Sequence, residues 1–116
     1  MEYRPTPEKW QKARHFFETR FGMPPGAPLW EMLYLIGIRE YGKSLGPFTK
    51  DDKINLIHVG TCAVLEPFGY CERQKDLPDG WPSYKILRKL PRENDENFEP
   101  FMQYAIVRYL ESDDLI

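Results

Sequence analysis

The side chains best suited to unusual chemistry lie in one stretch, "IHVGTCAVLEPFGYC", at residues 57–71. It holds His58, Cys62, Glu66 and Cys71, and imidazole, thiolate and carboxylate groups together are a set that binds zinc. His58 and Cys62 are four residues apart, so in a helix they are neighbours on one side. A metal centre or a small enzyme site that uses His58, Cys62 and Cys71 is therefore one interpretation of the sequence.

The spacing of these residues favours a plainer interpretation. Structural zinc sites usually take two ligands from one turn, as in Cys-x2-Cys, and this stretch has no such pair. Residues four apart also drift round a helix, which leaves Glu66 about 80° from His58. We therefore expect His58 at the edge of the core, Cys62 packed as a small apolar side chain, and neither cofactor nor catalytic residue. A Cys62–Cys71 disulfide would need an oxidising compartment, and we find no export signal.

Other common site motifs are absent from the sequence. Di-iron carboxylate bundles need Glu-x-x-His pairs, and neither histidine has a glutamate three residues before it. No glycine-rich phosphate-binding motif occurs, since the triplet Gly42-Lys43-Ser44 lacks the upstream glycine of a phosphate loop. We interpret that triplet as a helix end followed by a loop.

Composition narrows the class of protein further. The 116 residues are 41% hydrophobic and 15% aromatic, which excludes a disordered chain. The net charge of −2 gives no field that favours nucleic acid or an anionic membrane. The longest apolar run, "MLYLIGI", is far short of the roughly 18 residues that a membrane span needs. These features predict a single cytoplasmic domain that binds neither membrane nor nucleic acid.

Capping and helix-stop residues predict four helices. Thr6 and Pro7 open a helix over 7–21, and Pro28 and Gly42 bound one over 28–41. Thr49 and Asp52 form a capping-box pair for a helix over 50–66, and a fourth helix follows over 98–111. The predicted fold is all-α, with one irregular loop at 67–97 that can contain a short hairpin.

Apolar spacing predicts which helix faces are buried. For the third helix the predicted buried residues are Ile54, Ile57, Thr61, Val64, Leu65 and Phe68. For the fourth they are Phe98, Phe101, Met102, Ala105 and Tyr109. The second helix is apolar almost all round, which is typical of a helix that its own domain or another chain covers.

The surplus of apolar surface and the lack of a catalytic constellation predict a non-catalytic, helical interaction protein. Its partner is a second copy, forming a homodimer, or another protein. Aromatic and arginine side chains dominate binding energy at such interfaces. The predicted partner-binding residues are Trp30, Leu33 and Tyr34 on the second helix and Trp81, Tyr84 and Arg88 in the loop. Two alternatives stay open, the metal or enzyme site above and a helical bundle whose aromatic core encloses an apolar small molecule.

Overall fold

Four helices and a two-stranded antiparallel sheet make up the computed structural model, which describes residues 3–43 and 47–116. The helices are α1 (Pro7–Phe21), α2 (Leu29–Tyr41), α3 (Lys50–Leu65) and α4 (Phe98–Ser112). A 3-10 turn (Glu66–Phe68) follows α3, and the strands are β1 (Cys71–Gln74) and β2 (Ser83–Ile86). The chain is therefore mostly helical but not all-α, because residues 67–97 contain a hairpin. Of the triplet at residues 42–44, Ser44 lies outside the described residues.

The chain divides into two compact units, Met1–Leu29 with Pro91–Ile116 and Trp30–Leu90. In the first unit, the hydroxyl of Thr6 accepts a hydrogen bond from the backbone of Lys9, and Pro7 occupies the first turn of α1. Gly22 ends α1 in the left-handed conformation, with φ of 66°. Lys9 forms an ion pair of 3.1 Å with Glu111 of α4.

The buried face of α4 differs in part from the predicted one. Met102 and Ala105 are buried as predicted, while Phe98, Phe101 and Tyr109 are only partly buried. The remaining buried residues of α4 are Ile106, Val107 and Leu110.

In the second unit, α2 and α3 touch backbone to backbone at two glycines. A Cβ atom on Gly37 would overlap the carbonyl oxygen of Leu56, and one on Gly60 would overlap the carbonyl oxygen of Leu33. Each helix thus contributes a leucine followed four residues later by a glycine, which places both on one side of the helix. Only glycine leaves room for this approach, so the two residues fix where the helices meet.

This contact turns α3 away from its predicted orientation. Ile54 was expected in the core, yet its side chain is 56% exposed, and Ile57, Thr61 and Phe68 are only partly buried. Val64 and Leu65 are buried as predicted. The other buried residues of α3 are Leu56, Val59, Gly60, Cys62 and Ala63. Apolar spacing predicted the buried face of α3 only in part, because it does not register the glycine that brings the helix close to α2.

The hairpin packs in the same unit. Cys71 lies opposite Ile86, Glu72 opposite Lys85, Arg73 opposite Tyr84 and Gln74 opposite Ser83. Cys71 is buried, and Arg73 and Tyr84 are partly buried, whereas Glu72 and Gln74 are exposed. The face that carries Cys71 and Arg73 is therefore the inner face of the sheet. Within the described part of the chain, no helix has both the length and the apolar character to cross a membrane.

The α2–α3 contact predicts that a glycine-to-alanine substitution destabilises the protein, whereas the same substitution usually stabilises a helix. Gly60→Ala should lower the free energy of unfolding by about 3 kcal/mol or more, because the added methyl group meets backbone and no rotamer can move it away. In an exposed helix interior the same change stabilises by about 1 kcal/mol. Urea unfolding measures the free energy of unfolding of Gly60→Ala and of the wild type. The matched control is Asn55→Ala at an exposed site of α3, which is expected to be neutral or slightly stabilising. A neutral Gly60→Ala variant would contradict the contact.

Candidate functional site

The structure brings His58, Cys62 and Cys71 together only in part. Cys62 and Cys71 are buried, free thiols, and each affects the pKa of the other. His58 is exposed, and its Nε2 atom lies 3.6 Å from the Sγ atom of Cys62. Glu66 points elsewhere, since its carboxylate accepts a hydrogen bond of 2.7 Å from the backbone N–H of Arg73. Among residues 3–43 and 47–116, no three His, Cys, Asp or Glu side chains form a group that could hold a metal ion.

The two thiols are held in their neutral form. Burial, and then the hydrogen bond to Cys71, raise the pKa of the Cys62 thiol far above its usual range. Burial also raises the pKa of Cys71, although its hydrogen bond with Cys62 acts in the opposite direction. The thiolate is the form that attacks electrophiles and binds metals. Cys62 and Cys71 therefore pack as small apolar side chains, one on α3 and the other on β1.

A polar network at Arg73, which sequence analysis missed, fastens the hairpin to α2. The Arg73 guanidinium contacts the Glu40 carboxylate at 3.3 Å, the Tyr84 hydroxyl at 3.1 Å and the Asp76 carboxylate at 3.1 Å. Glu40 belongs to α2, while Arg73 and Tyr84 face each other across the two strands. Because the planar guanidinium donates hydrogen bonds to three partners at once, it holds them in one arrangement.

This network changes the pKa values of Tyr84 and Arg73. Burial raises the pKa of Tyr84 to about 12, and the hydrogen bond and charge of Arg73 counteract part of that rise. Burial lowers the pKa of Arg73, but its hydrogen bonds to Tyr84 and Asp76 outweigh burial and raise it. Tyr84 is thus a neutral hydrogen-bonding group of the inner sheet face.

Trp81 and Arg88, two predicted partner-binding residues, make contacts within the unit. The Trp81 ring stacks on Tyr41 of α2, with centroids 4.5 Å apart and planes 22° from parallel. Its backbone is fixed by a turn in which the Trp81 carbonyl accepts from Leu77 and its N–H donates to Asp79. The Arg88 guanidinium is exposed but lies 3.8 Å from the centre of the Tyr70 ring.

The predicted residues of α2 fall in two environments. Leu33 is only 5% exposed, so its side chain does not form surface in this conformation. Trp30 is 43% exposed and Tyr34 is partly buried, one helical turn further on. The ammonium group of Lys53, from α3, lies 5.1 Å from the Trp30 ring and 4.9 Å from the Tyr34 ring. We call Trp30, Tyr34, Lys53 and Ile54 the α2–α3 surface.

Lys53 and Ile54 were not predicted as binding residues. Ile54 follows Lys53 about 100° further round α3, and the partly exposed Ile57 lies between them on the helix surface. One sequence feature could have revealed this surface. It is the spacing of a leucine and a glycine four residues apart, which occurs at Leu33–Gly37 and again at Leu56–Gly60. Equal leucine-to-glycine spacing on consecutive helices indicates a close crossing, and it would have placed Ile54 outward.

An open groove of about 590 Å³ runs along α1 in the first unit. Its lining includes Glu8, Lys12, His15 and Arg20, together with Leu115 and Ile116. This groove is open to solvent, which differs from the enclosed cavity that an apolar small molecule would require.

No family model matches this sequence, and comparison with curated proteins and with solved structures finds no similar chain. The chemistry and placement of its own side chains are therefore the basis for assigning a function.

The burial of the thiols predicts slow modification. In the native protein Cys62 and Cys71 should react with a thiol reagent about 100-fold or more slowly than in urea, since attack requires local opening and thiolate formation. The absorbance of the group that the reagent releases measures the rate of thiol modification. Single Cys→Ser variants show which of the two cysteines reacts. His58→Ala should leave the native rate unchanged. A native Cys62 that reacts fast, and slows when His58 is removed, would instead indicate an activated nucleophile.

The raised pKa of Tyr84 predicts a loss of stability at alkaline pH. The stability that depends on its neutral phenol is fully present below pH 10 and is lost as pH rises through about 12, because the unfolded chain ionises first. The free energy of unfolding, measured in urea from pH 9 to 12, should therefore fall more steeply in the wild type than in Tyr84→Phe.

Arg73→Gln provides the internal control for this titration. Removing the charge that lowers the pKa of Tyr84 should move tyrosinate formation to still higher pH. The difference in tyrosinate absorbance between the wild type and Tyr84→Phe reports the midpoint. An ordinary midpoint near pH 10 would contradict the buried placement of Tyr84.

Proposed function

We propose that this chain is a non-catalytic protein-interaction module that self-associates as a homodimer through the α2–α3 surface. The observation that carries the proposal is the exposure of Trp30 and Ile54, at 43% and 56%, on two helices whose closest approach is fixed by glycine. Exposed tryptophan on a rigid helix is the side-chain type that most often dominates binding at protein interfaces.

The α2–α3 surface is pre-arranged for contact. Lys53 lies over both aromatic rings, which favours one orientation of Trp30 and Tyr34 before any partner arrives. The Phe48 ring also lies beside Tyr34, with ring centroids 6.5 Å apart and nearly perpendicular planes. Side chains that are already ordered lose less conformational entropy on binding.

Charge favours a second copy as the partner. In a two-fold dimer one surface meets itself, so it must be self-complementary. Both signs occur beside the apolar residues, because Lys50 and Asp51 precede Ile54 by about one turn of α3 and Glu31 acts on Tyr34 from α2. Two copies can therefore pair Lys50 or Lys53 of one chain with Asp51 or Glu31 of the other.

The alternative use of His58, Cys62 and Cys71 for chemistry has weaker support. Both thiols are buried with raised pKa values, and the nearest carboxylate, Glu66, is already bonded to the backbone of Arg73. A packing role explains each of these contacts without a substrate.

Sedimentation over about 1 µM to 1 mM tests the homodimer. The wild type should change from monomer to dimer in this range, and Trp30→Ala should weaken association about 30-fold, the loss expected of a central aromatic residue. Ile54→Asp should abolish it, because the carboxylate would be buried at the contact.

Leu77→Asp is the matched control, since Leu77 is similarly exposed but lies in the loop between the strands. It should dimerise as the wild type does. A chain that stays monomeric throughout, or a dimer that tolerates both Trp30→Ala and Ile54→Asp, would contradict the proposal.

A further inference from the structure

The outer edge of β2 carries backbone groups that nothing in its own sheet satisfies. In an antiparallel pair, hydrogen-bonded and non-hydrogen-bonded residue pairs alternate. Leu87 donates to the carbonyl of Tyr70, and the N–H of Arg73 turns away from β2 to reach Glu66. The bonded pairs are therefore Tyr70–Leu87, Glu72–Lys85 and Gln74–Ser83, two residues apart.

It follows that Tyr84 and Ile86 direct their N–H and C=O groups away from β1. Across the residues that the structure describes, these backbone groups make no hydrogen bond to other backbone. The side chains beside them are accessible, with Ile86 44% and Leu87 48% exposed. An exposed strand edge with apolar side chains is a template for another strand.

The charge of this edge is of one sign. Residues 80–90 contain Lys85, Arg88 and Lys89 and no carboxylate. Glu72 lies opposite Lys85 across the sheet, but none of the three basic groups forms an ion pair within the described chain. Two copies of this edge would bring like charges together, which disfavours a second copy as the occupant.

We propose that the outer edge of β2 binds an extended, acidic segment of a partner protein as a third strand. Tyr84 and Ile86 supply four main-chain hydrogen bonds, and Lys85, together with Lys89 three residues beyond the strand, attracts carboxylates of the segment. Ile86 offers an apolar contact on the opposite face, because side chains alternate along a strand. The proposal goes beyond the homodimer, since it uses a different surface and a different kind of partner.

A peptide of roughly eight residues, alternating valine and glutamate with a fluorophore, is the probe. Alternation places every glutamate on the face of Lys85 and every valine on the face of Ile86. Fluorescence anisotropy should show saturable binding that weakens as salt is raised, and the peptide with lysine in place of glutamate should not bind. Amide exchange at Tyr84 and Ile86 should slow when the acidic peptide is present.

The variant Ile86→Pro tests the strand edge without removing a hydrogen bond of the fold. Proline removes the outward N–H but no bond between β1 and β2, since the N–H of Ile86 does not face β1. Peptide affinity should fall tenfold or more, while the matched variant Ile86→Val should bind as the wild type does. Lys89→Glu should also lower affinity about tenfold, and Trp30→Ala should leave it unchanged, which separates this site from the dimer.

Several results would overturn the proposal. The first is no binding of the acidic peptide up to about 1 mM. The second is peptide binding that survives Ile86→Pro but is lost in Lys89→Glu, which would indicate loose attraction of any anion. The third is an oligomer of the free chain that only Ile86→Pro dissolves, which would make a second copy the occupant of the edge.

Discussion

The close approach of α2 and α3 at Gly37 and Gly60 is the constraint on which the second unit depends. Because each glycine faces a leucine carbonyl of the other helix, the rotation of both helices is set by backbone and not by side-chain fit. That rotation buries Leu56 and Cys62 and leaves Ile54 in solvent. The inner core and the exposed apolar surface are thus two consequences of one contact, and neither can change without the other.

The position of the hairpin depends indirectly on the same helix contact, because both helices provide residues that pack against it. Once α3 is rotated, Cys62 faces Cys71, and α2 presents Glu40 to Arg73. Burying a charged guanidinium beside a strand is unfavourable unless its donors are satisfied, and here three partners satisfy them. The Glu66 carboxylate accepts from the outward N–H of Arg73, so one outward donor of β1 is bonded within its own chain, whereas no such bond reaches the outward groups of Tyr84 and Ile86 in the described residues.

Much of the helical framework follows from local sequence, and most of the surface does not. Caps such as Thr6 and the Thr49–Asp52 box act within one turn, so the helix bounds agree with the expected ones to within a residue. The exposed face of α3 depends on a glycine contact between helices, which periodicity does not register. The two strands are four residues each, too short for alternation to distinguish them from helix. The stacking of Trp81 on Tyr41 could not be predicted, because Tyr41 lies 40 residues earlier in the sequence.

The distribution of charge gives the two exposed regions of the second unit different binding properties. Lysine, aspartate and glutamate side chains lie beside the α2–α3 surface, a mixture that would let it meet its own copy without net repulsion. The charged residues at the β2 edge are all lysine or arginine, a distribution that would repel a second copy and attract a carboxylate-rich strand. The total charge of −2 does not reveal this division, and composition argued only against nucleic acid and an anionic membrane as partners. A dimer formed through the first surface would carry two β2 edges, and a partner with two acidic segments would then bind more tightly than either contact allows alone.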